Sequence, residues 1–380
     1  MKGNLRALFR LLHLTLGLGV GLWFILLGST GAIMVFWPEV DAALNPSLLR
    51  ASGPVKGKPI GLQEAWEIAR AARPEVSFKR LLPPRTPDGV YSFRWQTPQG
   101  EQELFVDPAT GRITGARNRT QTVLWKALEL HKDLLLHETG HRINGVLALA
   151  GTALLLSGVI LWLPPSAKLL SKRLTIQRNT SPGRFLFDLH NVLGIYSLPV
   201  MLLVTVTGVA FLYEHQTEQL AAMVWKTEGN KHGDEPSATV AKNTIPAGHE
   251  AQHSLDTLVS QHREVLGTGG RFTSVELPAD GGREVILYGE PAGGRRWGDR
   301  IKVTVDTVTG EIRRLEDNRT APMKEKVVRW LGPLHFGRWG DTASKALYVL
   351  VGAVVPLGLF VTGALRWWQR RRRASRSAVR

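Results

Sequence analysis

Four long runs of apolar residues interrupt an otherwise mixed sequence of 380 residues. They fall at 14–37, 143–163, 192–213 and 346–368. Each run is close to the roughly 20 residues that a helix needs to cross about 30 Å of hydrocarbon, and only helices satisfy every backbone group over that length in lipid. The pattern predicts four transmembrane helices. The first run is too long for a signal peptide and no A-x-A-like site follows it, so we predict a retained span.

The two long segments between spans have the patterns of small α+β domains. In each, an amphipathic helix, at 62–72 and 255–266, precedes strand-like residues. The sequence V-D-x-x-T-G-x-I follows, beginning at Val106 and at Val305, and predicts a strand, a tight turn and a second strand. The stretch at 227–250 is rich in Gly, Pro, Asn and Thr and predicts a flexible linker.

These patterns divide the chain into two copies of a span, an outside domain and a second span. The predicted fold is a membrane α-helical bundle of four spans with two extracytoplasmic α+β domains, produced by tandem duplication. The predicted segments are 1–38 for span one, 39–121 for the first outside domain, 122–165 for span two, 166–184 for a loop, 185–214 for span three, 215–321 for the second outside domain, 322–369 for span four with a preceding interfacial segment, and 370–380 for a basic tail.

The formal charge of +16 is concentrated in short segments beside the spans. The positive-inside rule assigns such segments to the cytoplasm, so we predict a multi-pass bacterial inner-membrane protein with both termini cytoplasmic and no role in nucleic-acid binding. The chain has no cysteine, which excludes disulfides and thiolate metal sites. The basic residues are Lys2, Arg6 and Arg10 before span one, Lys168, Lys172, Arg173 and Arg178 between spans two and three, and the arginines at 370–373, Arg376 and Arg380 after span four.

Leu-His and Thr-Gly pairs recur at matching positions in the two copies. In span one the histidine is His13 and the glycine of the Thr-Gly pair is Gly31; in span three the interval from His190 to Gly208 is identical. Before spans two and four, His131 precedes a Ser-Gly pair and His335 a Thr-Gly pair at nearly equal intervals. The predicted topology therefore places two histidines near each membrane face.

We call His13 and His190 the inner pair, and His131 and His335 the outer pair. Two helices that each supply one neutral imidazole form the simplest site for a b-type haem, so the spacing favours two haems with these four residues as axial ligands. Zinc and a proton relay remain alternatives, although zinc takes three or four ligands and acidic residues are scarce within the apolar runs.

The ligand from the span-two region is open on sequence alone. A continuous helix from His131 to Gly158 is about 41 Å long, which places His131 at the membrane rim unless Gly140 and Gly145 bend the helix. His137 is the alternative ligand, because it lies closer to the apolar run. The arginines Arg6, Arg10 and Arg184 are candidates for haem propionate contacts or for simple cytoplasmic anchors.

The V-D-x-x-T-G-x-I turn resembles the PepSY domain, and the Leu-His and Thr-Gly spans resemble the PepSY-associated transmembrane family. Over nearly the whole chain the layout is similar to the FoxB-type ferric-siderophore reductases of bacterial inner membranes. The resemblance implies a haem-dependent enzyme that reduces ferric hydroxamate siderophores, such as ferrioxamine, on the periplasmic side. It carries the ligand roles to His13, His190, His131 and His335.

The implied reaction needs partners that the sequence does not specify. No nucleotide or flavin fingerprint is present, so the electron donor would be another protein, a quinol or a soluble reductant. Two other functions remain open: a membrane-anchored protein that binds or inhibits a peptidase, and a siderophore or ion transporter built on the repeat. Neither requires haem.

Overall fold

A computed structural model describes residues 3–53, 58–164, 166–224, 253–278, 282–292, 299–340 and 342–378. The predicted linker at 227–250, as well as Lys2 and Arg380, lies outside the described residues. The α-helices run as α1 Gly3–Val35, α2 Trp37–Leu44, α3 Pro46–Leu49, α4 Leu62–Ala72, α5 Val123–Asp133, α6 His137–Trp162, α7 Leu170–Arg173, α8 Pro182–Leu212, α9 Glu214–Val224, α10 Leu255–Gln261, α11 Met323–His335, α12 Thr342–Val349 and α13 Val355–Ala378.

Four helices are long and apolar enough to cross a membrane, which confirms the four predicted spans. The fourth combines α12, a short π-helical segment and α13. Each is longer than its apolar run, because the backbone hydrogen bonds of a helix continue into the polar turns that flank the hydrocarbon. The four spans cover Asn4–Val35, His137–Trp162, Pro182–Leu212 and Thr342–Ser375.

The spans form one unit, a closed four-helix bundle in which each helix has one neighbour from its own copy and one from the other copy. Helix α1 packs against α6 and α13, and α8 packs against the same two helices. As a result α1 faces α8 across the bundle, and α6 faces α13. The equivalent helices of the two copies are therefore diagonal partners, and equivalent residues can meet on the bundle axis.

Helix α1 approaches span four most closely at a pair of glycines. A Cβ atom on Gly28 would lie 1.7 Å from the carbonyl oxygen of Gly352, so only glycine permits this crossing. Gly352 belongs to a π-helical segment, Leu350–Val354, which joins α12 to α13.

The π-helical segment also explains why the two copies differ in spacing. The interval from the outer histidine to its glycine, His131 to Gly158 in the first copy, is longer by a single residue in the second copy, where it runs from His335 to Gly363. A π-helical turn contains one residue more than an α-helical turn, so a span absorbs the extra residue without losing register at its two ends. Helix α6, the first-copy counterpart, is continuous from His137 to Trp162.

The polar segments form the second unit, which contains an eight-stranded antiparallel sheet of order β4-β3-β2-β1-β5-β6-β7-β8. This result confirms the α+β class, and it also shows that the strands of both copies share one sheet. The copies join where β1 pairs with β5, with Arg80 opposite Glu276 and Leu81 opposite Val275. The strands are β1 Arg80–Leu82, β2 Tyr91–Thr97, β3 Gly100–Val106, β4 Ile113–Asn118, β5 Arg271–Glu276, β6 Glu284–Glu290, β7 Ile301–Asp306 and β8 Ile312–Asp317.

One face of the sheet packs with helices α4 and α10 in an apolar core that spans both copies. The two helices also cap each other. The Asp256 carboxylate accepts hydrogen bonds from the N–H groups of Leu62 and Gln63 at 2.8 and 3.0 Å, and the Gln63 side chain accepts one from the N–H of Leu255 at 3.0 Å. Helix α10 is shorter than predicted. It ends at Gln261, and a 3₁₀ turn follows over Arg263–Leu266.

The repeated V-D-x-x-T-G-x-I sequence is a turn held by its aspartate. The Asp306 carboxylate accepts hydrogen bonds from the N–H groups of Val308 and Thr309 at 2.9 and 3.1 Å and from Arg313 at 2.7 Å. Burial would raise the pKa of Asp306, but these donors outweigh it and hold that pKa below its usual value. Gly310 follows with φ of +72°, a conformation that favours glycine.

Candidate functional site

The structure brings the four repeat-equivalent histidines together as two pairs within the membrane unit. The ring centroids of His13 and His190, on α1 and α8, are 6.3 Å apart with an interplanar angle of 89°. The ring centroids of His131 and His335, at the ends of α5 and α11, are 6.1 Å apart with an angle of 63°. Each pair takes one imidazole from each copy.

In the inner pair, each histidine is held by the Ser-Gly or Thr-Gly motif of the other span in its own copy. His13 Nδ1 lies 3.0 Å from the hydroxyl of Ser157 on α6, and 3.2 Å from the carbonyl oxygen of Leu154, one turn before that serine. His190 Nδ1 lies 2.9 Å from the hydroxyl of Thr362 on α13, and the carbonyl one turn earlier is also its partner.

The outer pair repeats this arrangement at the opposite end of the bundle. His131 Nδ1 lies 3.1 Å from the hydroxyl of Thr30 on α1, and His335 Nδ1 lies 3.0 Å from that of Thr207 on α8. The carbonyl oxygens one turn before these threonines lie 3.0 and 3.1 Å from the same nitrogens. Within each copy, the first span thus holds the histidine on the short helix before the second span, and the second span holds the histidine of the first span.

These contacts determine the tautomer of all four rings. A carbonyl oxygen only accepts hydrogen bonds, so each Nδ1 carries the proton and donates it. In a neutral imidazole the other nitrogen, Nε2, then has a free lone pair. Metal-bound histidines show this same pattern, in which the N–H that does not bind the metal donates to a backbone carbonyl and orients the ring.

The glycine of each motif allows the imidazole to approach the helix backbone. A Cβ on Gly31 or on Gly158 would lie 3.1 Å from Cε1 of His131 or His13, which is tighter than ordinary van der Waals contact. The corresponding distances for the second copy are 3.3 Å at Gly208 and 3.5 Å at Gly363. The hydroxyl residue therefore binds the ring nitrogen, and the glycine after it makes room for the ring.

The outer histidine of the first copy precedes a break in the helix. The residues Leu134, Leu135 and His137 have φ values of +56°, +61° and +51°, so α5 ends before α6 begins. The expectation of a continuous helix bent at Gly140 and Gly145 is therefore wrong. A Cβ on Gly140 would lie 1.6 Å from the carbonyl oxygen of Asp133, so this glycine instead lets α6 start against the end of α5.

Asn144 holds the end of α5 in place from within α6. Its side chain is 1% exposed, and its amide donates to the carbonyls of His131 and Lys132 at 3.0 and 2.9 Å. Its amide oxygen accepts from the indole N–H of Trp23 at 2.8 Å. Asn144 is therefore a positioning residue for His131.

Tyr348 has the same role in the second copy. Its hydroxyl donates to the carbonyl of Leu334, next to His335, and accepts from the indole N–H of Trp339 at 3.1 Å. Asn144 and Tyr348 follow the outer histidines of their copies at the same interval along the chain. The sequence analysis missed both, because an amide and a phenol share no chemistry that a repeat search detects.

The surroundings of the outer histidines favour the neutral form of both imidazoles. The pKa of His335 is lowered to about 4, mainly by burial; a positive charge on His131 would disfavour protonation as well, and the carbonyl contact of Val204 opposes both effects. Burial also lowers the pKa of His131. Neutral imidazole is the form that binds iron.

The other histidines near span two are elsewhere. His137 is exposed at the start of α6. His141 shares a hydrogen bond, through Nε2, with the carbonyl oxygen of Leu212 at 3.2 Å. The structure therefore places His131, and neither of these residues, beside His335.

The donor set of each pair suits a metal that needs only two protein ligands. Among the described residues, no group of three or more His, Cys, Asp or Glu side chains could hold a metal ion, as zinc would require. Imidazole nitrogens bind metals at about 2 Å and the ring centre lies about 1 Å behind, so two imidazoles on opposite sides of one ion have centroids about 6 Å apart. Both pairs match this distance.

The remaining candidates from the sequence are differently placed. Arg6 donates to the carbonyl of Leu161 at 3.4 Å, Arg184 pairs with Asp188 at 3.0 Å, and Arg10 is exposed. The Leu161 carbonyl and the Asp188 carboxylate therefore hold Arg6 and Arg184 at the end of the bundle that carries the inner pair.

Comparison with known proteins assigns the family. The model of the PepSY-associated TM region matches residues 10–370, which includes all four histidines and both polar segments. No curated protein matches the sequence significantly. A match over nearly the whole length shows that this multi-pass membrane protein belongs to the family of the PepSY-associated TM region.

Proposed function

We propose that the protein is a di-haem electron-transfer protein that reduces ferric siderophores. The observation that carries the proposal is the anchoring of all four histidines: in each of two facing pairs, Nδ1 donates to a carbonyl and a hydroxyl, and Nε2 has no hydrogen bond among the described residues. Two neutral imidazoles, one from each copy, could serve as the protein ligands of a b-type haem.

The residues of the chain have separable roles in this proposal. His13 and His190 would hold one haem, and His131 and His335 the other. The hydroxyl and carbonyl partners keep each ring in one tautomer and orientation before the cofactor binds, which removes part of the entropy cost of binding. When bound, haem supplies one-electron transfer at a potential that its ligands and their hydrogen bonds adjust.

The two sites are placed to connect the two ends of the bundle. The stretch of α1 from His13 to Gly31, the glycine beside the ring of His131, corresponds to about 27 Å of helix. The apolar layer between them includes Phe24, Met201 and Val355. A low-dielectric layer of this kind excludes water and would shield a transferred electron from side reactions.

The resemblance to siderophore reductases supplies the substrate class. Hard hydroxamate oxygens bind Fe(III) more strongly than Fe(II), so the transfer of one electron to the metal weakens the chelate and releases Fe(II). We propose a ferric hydroxamate as the acceptor and a one-electron donor, from a quinol, a reduced protein or a soluble reductant, at the opposite end.

A reduced-minus-oxidised spectrum of the purified protein tests the cofactor. We expect a Soret band with sharp α and β bands, and two haems for each chain. A membrane-anchored peptidase-binding protein or a plain transporter predicts no haem, so the absence of these bands in protein from haem-replete cells would rule out the proposal.

A second measurement tests the substrate. Dithionite-reduced protein, freed of excess reductant, is mixed with ferric ferrioxamine in the presence of a chelator that becomes coloured on binding Fe(II). We expect haem reoxidation and Fe(II) release in equal amounts. Haem that remains reduced for hours would leave electron transfer as a function but would exclude this acceptor.

A further inference from the structure

A half-buried arginine in the fourth span lacks a hydrogen-bond acceptor. The guanidinium of Arg366 lies 4.3 Å from the ring centroid of Phe187, and among the described residues nothing accepts a hydrogen bond from it. An arginine within a membrane span is costly and generally serves a site. The guanidinium carries five N–H donors, and no oxygen in the described part of the chain accepts a hydrogen bond from them.

The position of Arg366 ties it to the inner pair. Thr362 holds His190, and Arg366 follows about one turn later on α13, so both occupy one face with Arg366 nearer the inner end. The guanidinium is close enough to His190 to interact with it electrostatically. A ligand held between the inner histidines would have an edge near this charge.

Three other arginines at the inner end already have acceptors. Arg6 and Arg173 donate to the last carbonyls of α6, and Arg184 pairs with the buried Asp188. Asp188 also attracts Arg366 electrostatically, but it forms its ion pair with Arg184. Arg366 differs from the other three because, in the described part of the chain, its close contact is an aromatic ring and no oxygen receives its N–H groups.

A second unpaired donor lies at the same end. The Nε1 atom of Trp162 is buried and has no hydrogen-bond partner among the described residues. Trp162 follows Ser157, the residue that holds His13, by little more than one turn. A buried donor without an acceptor calls for an explanation, and a bound group with acceptor oxygens provides one for both residues.

We propose that Arg366 binds a propionate carboxylate of the inner haem, with the indole N–H of Trp162 as a second donor at the same edge. This inference rests on the proposed function. It assigns the propionate contact to Arg366, one turn from the residue that holds His190, and not to the earlier candidates Arg6, Arg10 and Arg184. It also predicts that the inner site recognises the carboxylates of the porphyrin, and the positive charge beside them raises the potential of this haem.

The test compares haem with its dimethyl ester, which lacks both carboxylates. Apoprotein from haem-deficient cells is titrated with each form, in the His335→Ala background so that only the inner site is read. We expect wild-type Arg366 to favour free haem over the ester, and Arg366→Gln to lose about tenfold of that preference or more, as a charged hydrogen bond implies. Arg366→Lys should retain part of it.

Arg370→Gln is the matched control, since it removes the same charge from an exposed position one turn further along α13. Equal preference for free haem in the wild type and in Arg366→Gln would overturn the inference, as would an effect of the size seen in Arg370→Gln. A haem affinity that depends on the anionic lipid content and is the same for free haem and its ester would assign Arg366 to a lipid phosphate. That result would also overturn the inference.

Two further measurements separate this inference from the proposed function. If the wild type binds no haem, the proposed function fails and the inference fails with it. If it binds two haems, the midpoint potential of the inner haem should fall in Arg366→Gln while that of the outer haem stays constant. An unchanged inner potential would contradict the arginine contact alone.

Discussion

The inner and outer histidine pairs have the same local chemistry but reach it by different routes. The inner histidines lie within the spans α1 and α8, so the bundle itself sets their positions. The outer histidines lie at the ends of the short helices α5 and α11, outside the four spans, and Asn144 and Tyr348 hold those ends. The outer site therefore depends on tertiary hydrogen bonds to the ends of α5 and α11, in addition to the ring contacts that both pairs share.

The surroundings of the pairs differ as well. The ring centroid of His335 lies 5.4 Å from that of Phe211 and 5.5 Å from that of Phe336, and the Arg338 guanidinium lies 5.3 Å from the Phe336 centroid, whereas the inner pair has Arg366 nearby. An apolar surrounding and a nearby cation both favour reduced haem, the state with less positive charge, and these groups are arranged differently at the two sites. We therefore expect two haems with distinguishable potentials.

Removal of one histidine ligand should give the largest effect, and the effect should be confined to one of the two sites. His335→Ala is expected to lose the outer haem and keep the inner one, and His190→Ala is expected to do the reverse, because in the proposed function each pair would hold its haem iron with only two protein ligands. Haem content for each chain, measured as the pyridine complex, should fall from two to about one.

His137→Ala is the control for both variants, since this histidine is exposed and remote from His335 in its contacts. It should retain two haems. Loss of one haem in His137→Ala, with full retention in His131→Ala, would move the ligand role to His137 and refute the outer pair.

Loss of a supporting hydroxyl should give a smaller but still selective effect. Thr207→Val removes the hydroxyl partner of His335 at nearly constant shape, and changes of this kind in the partners of metal ligands cost about 10- to 100-fold in metal affinity. We expect a loss near the lower end of this range, about 10-fold, because the carbonyl partner of His335 remains. Titration of apoprotein with haem should show weaker binding at the outer site only.

This result would be informative because Thr207 lies on α8, the helix that carries His190 of the inner pair. Thr152→Val is the control, since its hydroxyl bonds the carbonyl of Ala148 in its own helix. A weakened inner site in Thr207→Val would show that the exchange of support between spans is not specific.

Tyr348→Phe tests the positioning of the outer site. The substitution removes the hydroxyl that links Leu334 and Trp339 and keeps the ring, so we expect a loss of about 1 kcal/mol at the outer site. The measurement is the midpoint potential and haem affinity of each site. Tyr196→Phe is the control, because that side chain is 65% exposed and makes one long hydrogen bond of 3.4 Å. A shift of both sites together would indicate general loosening of the bundle.

The smallest expected effect concerns the glycines beside the rings. Gly31→Ala should weaken the outer site by a few fold, because its Cβ would lie 3.1 Å from the His131 ring and the ring must move by a few tenths of an ångström. Gly363→Ala should stay within about twofold of the wild type, since its Cβ would lie at an ordinary 3.5 Å from His190. Haem titrations that rank these two variants in the opposite order would contradict the packing argument.

Several features were predictable because they depend on local pattern. Apolar length predicts the four spans, since the hydrocarbon thickness dictates how many residues a helix needs. Matching intervals in the two copies placed His13 with His190 and His131 with His335 by depth, because the rise of a helix is constant. The repeated aspartate and glycine predict the strand turns, whose hydrogen bonds are made within a few residues.

Local patterns along the chain were therefore enough to predict the spans, the duplication and the relative depth of each histidine. Packing was needed to establish which motif supports which ring, the pairing of β1 with β5 in one sheet and the break between α5 and α6. It was also needed to show that Arg366 contacts an aromatic ring and has no hydrogen-bond acceptor among the described residues. These features differ in how far apart along the chain the interacting residues lie. Depth and turn geometry follow from neighbours along the chain, whereas the partners of a ring nitrogen or a guanidinium depend on helices far apart in the sequence that meet only when the bundle packs.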